Sequence, residues 1–128
     1  MNILLKAAKI LDASSTHHNT QQDIYIENGT IKAVGKNLSY PNATEISYDN
    51  LHVSQGWFDS SVSFGEPGFE ERETIANGLN VAARSGFSHI AYNTNTQPKP
   101  ESRADIACIL EQASGSTIKL YPKACVTT

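Results

Sequence analysis

Clusters of lysine and arginine, long apolar runs and closely spaced cysteines are all missing from this sequence. With a formal charge of -3 and its 10 basic residues dispersed, the chain offers no positive patch for nucleic acid or an anionic membrane surface. No apolar stretch approaches the roughly 20 residues that a membrane-spanning helix needs. The opening "MNILLKAAKILDASS" has Lys6 in mid-run and an acid at Asp12, which is not the pattern of a secretory leader. Cys108 and Cys125 are not in a C-x-x-C spacing and can form at most one bridge. Reduced thiols in a cytoplasmic protein are the expectation. Internal repeats and low-complexity segments are absent too.

What is there is an ordinary globular composition, 39% apolar over 128 residues, enough for a modest core. The first fifty or so residues read as short strands and turns. "NILLKAAKILD" is expected to be a strand pair. In "DIYIENGTIKAVG", Ile24 and Ile26 alternate with polar residues, Asn28-Gly29 follows, and Ile31 and Val34 resume. Asn-Gly between such runs signals a hairpin, because both residues tolerate positive φ. "TEISYDNLHVS" supplies one more strand, and "SSTHHNTQQ" and "SYPNAT" are loops.

After Gly56 the pattern changes. A strand over Trp57–Phe64 precedes a helix expected from about Glu70, with Ile75, Leu79, Ala82 and Ala83 on one face. Glu70 and Glu71 suit the positive end of its dipole, and Gly86 suits its end. "SHIAYN" is a second strand. A helix through Ile106, Ile109, Leu110 and Ala113 ends at Gly115, and "TIKLYPKACV" is a third strand. Strand and helix alternating at this spacing imply parallel pairing. Two parts follow: residues 1–53, all β, and residues 54–128, which open an α/β sheet or barrel as β-α-β-α-β.

"GWFDSSVSFGEPGFEERETI" resembles the start of the barrel in dihydroorotases and related cyclic amidohydrolases, whose pattern is G-F-I-D-x-H-V-H-x-R-E-P-G followed by an E-T-I helix. Gly56, Asp59, Val62, Glu66, Pro67, Gly68, Phe69, Glu73, Thr74 and Ile75 match. "AARSGFSHIAYNTNTQP" is similar to the family's A-A-x-G-G-F-T-T-V-x-x-M-P-N-T-N-P at Ala82, Ala83, Gly86, Phe87, Asn95, Thr96 and Pro98. "DIYIENGTIKAVG" resembles the small β-sandwich that precedes that barrel. The implied fold is α/β: the start of an amidohydrolase-type TIM barrel after a β-sandwich segment, incomplete in this chain.

The departures fall where the resemblance would put chemistry. The family's two H-x-H histidines bind catalytic zinc, and the arginine two residues later holds the substrate carboxylate. Ser61, Ser63 and Gly65 stand there instead. By strand alternation, Asp59, Ser61, Ser63 and Gly65 share one face and Phe58, Val62 and Phe64 the other. A neutral hydroxyl is a poor zinc ligand, and glycine cannot clamp a carboxylate. None of His17, His18, His52 and His89 forms a metal cluster, so neither a catalytic residue nor a cofactor is assigned within the chain. Asp59 has two readings, a residual metal or hydrogen-bonding site and a structural carboxylate anchoring nearby loops. Asn95 matches an asparagine that the family uses on substrate carboxylate; a turn role is the alternative. Glu66-Pro67-Gly68 reads as a tight turn leading into the helix, and Glu73 as a solvated or capping acid.

A full barrel takes roughly 250 residues, so this chain holds about three barrel strands. Its open edges and uncovered helix face point to a piece of a longer product, or to edges covered by another chain. The resemblance implies a catalytically degenerate structural subunit in pyrimidine synthesis, partnering an aspartate transcarbamoylase-like subunit or itself. The alternative is an active zinc-dependent cyclic amidohydrolase whose modified metal site is completed beyond this chain. A third reading is a small non-enzymatic domain that oligomerises through its edges.

Overall fold

A computed structural model of the chain describes residues 1–125. They fall into two compact units, Met1–Gln55 and the residues from Gly56 onward. The first contains β1 (Asn2–Leu11), β2 (Gln21–Glu27), β3 (Thr30–Gly35), β4 (Thr44–Ile46) and β5 (His52–Ser54). β1, β2 and β3 form an antiparallel meander, and β4 and β5 pair in parallel with β1. Asn28 and Gly29 turn the β2–β3 hairpin with φ of 49° and 77°, the left-handed conformation that this dipeptide accepts at little cost. The described residues of this unit make one sheet, so the second layer of the expected sandwich is not among them.

Two further expectations change here. Asn2–Leu11 is one long strand rather than a pair. Ala7 adopts φ 50° and the register slips between Leu5 and Ala8, so a bulge bends the strand without ending it. The bend gives β1 two successive partners, β4 through Ile3–Leu5 and β5 through Lys9–Leu11. Residues 44–54 are therefore two short strands, not one.

Buried Asp23 fixes the bend. Its Oδ1 accepts from Ala7 N (2.8 Å), and its Oδ2 accepts from Leu38 N (3.0 Å) and Lys6 Nζ (2.6 Å). Burial acts to raise the Asp23 pKa. The Lys6 bond and the two backbone N–H groups outweigh it and hold the carboxyl below its ordinary 3.8.

The second unit runs β6 (Trp57–Val62), α1 (Ile75–Arg84), β7 (Phe87–Tyr92), α2 (Arg103–Gln112) and β8 (Lys119–Pro122). Its sheet is parallel in the order β6-β7-β8. Ile75 and Leu79 of α1 and Ile109 of α2 share one core with Ile90, Tyr92 and Leu120. Both helices therefore cover the same face of the sheet. β6 stops at Val62, short of the expected Phe64. β8 occupies four residues of the expected strand 117–126, whose last residue lies outside the described ones.

Helix α1 begins at Ile75 rather than near Glu70. Thr74 is its N-cap, extended in backbone and accepting from Asn77 N (3.2 Å) through Oγ1. Glu70 instead closes a turn by accepting from Gly68 N (2.8 Å). The acid that meets the helix end is Glu66, whose Oε2 accepts from Ile75 N (2.7 Å). Gly86 follows the Ser85 C-cap with φ 88°, as a left-handed terminator does. Ser102 and Asp105 form a capping box on α2. Cys108 and Cys125 are free. Among the described residues, no helix is long and apolar enough to cross a membrane.

Candidate functional site

Three parallel strands deliver their C-terminal ends side by side, and a bulge in β6 decides which side chains arrive there. Asp59 is in register with Ile90, and Val62 with Tyr92. β6 thus uses three residues where β7 uses two, and the extra one inverts the alternation. Asp59 consequently lies beneath α1 with Val62, Phe64 and Ile90. Phe58 lies on the other side with His89 and Tyr121. The expected grouping of Asp59 with Ser61, Ser63 and Gly65, and of Phe58 with Val62 and Phe64, is corrected on both counts. Asp59 Oδ1 accepts from Ser61 N (2.9 Å), so its carboxylate supports the bulge.

Ser61 and Ser63 do come together, through a residue that sequence reasoning passed over. Asn93, just beyond β7, donates from Nδ2 to both Ser61 Oγ and Ser63 Oγ, each at 3.1 Å. Its Oδ1 accepts from Lys123 Nζ (2.8 Å), which also donates to Ser60 O (2.8 Å). The amide orientation follows from chemistry: an ammonium can only donate, so it faces the oxygen and leaves the NH₂ for the hydroxyls. Three strand ends are thereby joined around one positive charge. The available signal was position: Asn93 and Lys123 end the runs "SHIAYN" and "KLYPK", at the barrel end where such folds place chemistry.

Gly65 is buried and sits at φ 131°, and a Cβ there would lie 2.5 Å from Phe69 O. Any side chain at this position would therefore be strained. Gly65 N donates to Tyr92 Oη (3.1 Å), which in turn donates to Glu66 O. Burial pushes the Tyr92 phenol up, against the pull of the Gly65 N–H, and it keeps its proton at neutral pH. The loop after β7 is tied to this turn by Gln97 N donating to Pro67 O (2.8 Å). Asn95, in that loop, is exposed. Glu73 accepts from Thr74 N (2.9 Å) and Asn77 Nδ2 (3.0 Å), beside the cap of α1.

Among the described residues of the second unit, no imidazole joins the strand-end hydrogen bonds. His89 stacks on Tyr121 with centroids 6.0 Å apart, lower on the same face of the sheet. His17, His18 and His52 belong to the first unit. Among the described residues, no three His, Cys, Asp or Glu side chains converge as a metal site does. The strand-end residues themselves do not fit a divalent cation. Both hydroxyls are neutral and already accept an amide hydrogen, and an ammonium is bonded to the oxygen of that same amide.

Among proteins of known sequence, the dihydroorotase of Solibacter usitatus is 35% identical over 130 residues, covering 99% of this chain and 30% of that protein. The dihydroorotase of Bacillus subtilis is 35% identical over 128 residues, covering 99% and 29%. The chain belongs to the dihydroorotase-like cyclic amidohydrolases. It spans about 30% of the length of these dihydroorotases. No family model matches it. Solved structures agree on the fold. A D-hydantoinase superposes with a TM-score of 0.73 at 21% identity, over 95% of this chain and 26% of that one. A dihydroorotase superposes with a TM-score of 0.68 at 22% identity, over 96% and 30%. In this chain Glu66, Pro67 and Gly68 form the turn that meets the start of α1 and holds the loop after β7.

Proposed function

We propose that the chain is part of a dihydroorotase-like protein that has lost its first-strand zinc site and serves as a structural or partner subunit. By resemblance the setting is cytoplasmic pyrimidine biosynthesis, and the partner is an aspartate transcarbamoylase-like subunit or a second copy. In this reading the three-stranded sheet opens a (β/α) barrel and the five-stranded sheet is one layer of a small sandwich. Further strands complete both.

The observation that carries the reading is the Ser61–Asn93–Ser63 bridge with Lys123 behind it. The ligand positions are not merely empty; they are engaged in a hydrogen-bonded network that favours neutral or negative guests over a dication. The test is to purify the whole protein with zinc supplied, then measure its metal content and dihydroorotate hydrolysis. The expected result is no stoichiometric zinc and no turnover above background. Turnover near that of an ordinary dihydroorotase would end the proposal. Co-purification with an aspartate transcarbamoylase subunit, or a dimer by light scattering, identifies the partner.

A second reading, an active zinc-dependent cyclic amidohydrolase with a modified site, is favoured by the intact Glu66-Pro67-Gly68 turn and its bonds to Ile75 and Gln97. It requires the metal to be held by residues beyond this chain. Zinc that co-purifies in stoichiometric amount would select it.

A further inference from the structure

The strand-end cluster has more donors than it uses. The Lys123 ammonium carries three hydrogens, of which Ser60 O and Asn93 Oδ1 take two. Ser61 Oγ and Ser63 Oγ each receive a hydrogen from the same Asn93 nitrogen, so each hydroxyl keeps its own hydrogen to give. Neither hydroxyl, nor the third ammonium hydrogen, has an acceptor among the described residues. Sharing one donor nitrogen holds the two hydroxyls within two hydrogen-bond lengths of each other. Ser61, Ser63 and Lys123 are all exposed, so the three hydrogens face solvent.

Nearby carboxylates do not compete for them. Asp59 is turned beneath α1 and accepts from Ser61 N, and Glu66 is committed to Ile75 N. The corner therefore carries one ammonium, nearby acids whose hydrogen bonds go to backbone N–H groups, and three donors linked through one Asn93 amide at the C-terminal ends of parallel strands. That end of an open α/β sheet or barrel is where ligands sit.

We propose that Lys123, Ser61 and Ser63 form a binding site for a small oxyanion, a phosphate or a carboxylate. Lys123 Nζ supplies the charge-assisted bond, and the hydroxyls take the other oxygens. Asn93 positions the serines by holding both oxygens from behind. The inference goes beyond the loss of zinc hydrolysis, since it concerns what the same atoms hold in its place.

The test uses the full chain, isotopically labelled, followed through the amide resonances of Ser61, Ser63, Asn93 and Lys123. Sodium phosphate and sodium succinate are titrated separately against sodium chloride at constant ionic strength. Saturable shifts are expected with phosphate, succinate or both, and the two arms tell which oxyanion the site takes. Lys123→Met should weaken binding by about tenfold or more, Lys123→Arg should retain it, and Ser61→Ala with Ser63→Ala should weaken it with the lysine in place. Identical shifts in chloride would overturn the proposal. So would undiminished affinity in a well-folded Lys123→Met protein. If that variant fails to fold, undiminished affinity in the double serine variant overturns it instead. Zinc-dependent hydrolysis would sink the structural-subunit reading and leave this site standing, whereas an inert protein that binds neither anion would sink only the site.

Discussion

The ring of Phe64 fills the space that a methyl group on Gly78 would occupy. A Cβ at Gly78 would lie 2.3 Å from Phe64 Cε1 and 2.5 Å from Cδ1. The ring cannot easily retreat, because it is buried and packed against Tyr92 with centroids 5.4 Å apart. Alanine normally favours a helix interior over glycine by about 1 kcal/mol. Here overpacking should reverse the sign, so that Gly78→Ala destabilises by about 1–3 kcal/mol. Urea unfolding checks it, with exposed Asn80→Ala in the same helix as the reference that does not lose stability.

Tyr92→Phe removes the one hydroxyl that serves both Gly65 N and Glu66 O. The ring packing is unchanged, but a buried N–H and a carbonyl lose their partner. A loss of about 1–3 kcal/mol is expected in chemical denaturation. Faster amide exchange at Gly65 should accompany it.

Ser61→His with Ser63→His should not by itself produce a tight zinc site. Lys123 would remain within reach of the new imidazoles. Repulsion between an ammonium and a dication at ~5 Å amounts to about 1–2 kcal/mol even at the dielectric of water. Adding Lys123→Met to the histidine pair should therefore raise zinc affinity by about tenfold. Equal affinity with and without the lysine, by calorimetry, would contradict the electrostatic account of the strand ends.

Asp23 predicts the acid behaviour of the first unit. Its pKa is lowered in the fold, so its stabilisation is complete above the ordinary 3.8 and is lost as pH falls through the lower folded value. Asp23→Asn should cost about 1–3 kcal/mol at neutral pH, since it leaves the Lys6 ammonium without its counter-charge. The gap between wild type and variant should narrow as pH drops below 3.8. A gap that stays constant down to pH ~2 would refute the assignment.

Legibility followed locality. The Asn28–Gly29 hairpin, the helical stripe of Ile75, Leu79 and Ala82, and the Gly86 stop depend on near neighbours, and the structure has each of them, although Ala83, expected on the same stripe, is exposed. The bend at Ala7 was hidden because its cause is Asp23, sixteen residues away. The later start of α1 was hidden because Thr74 and Glu66 cap it from a loop whose acids read equally well as a first turn. At the candidate site, the serines at 61 and 63 were visible as departures from a pattern. The β6 bulge, which has no glycine or proline to announce it, reversed Asp59 and Phe58. The motif points to Asn95, whereas the residue that touches the serines is Asn93.

The Asn93 amide constrains what its neighbours can become. With its oxygen claimed by Lys123, its two hydrogens must find acceptors where 61 and 63 stand. An imidazole at either position would meet that amide hydrogen with the same ring nitrogen that a metal needs, and beside a cation. A metal seat at these strand ends would therefore call for Asn93 and Lys123 to change together with positions 61 and 63.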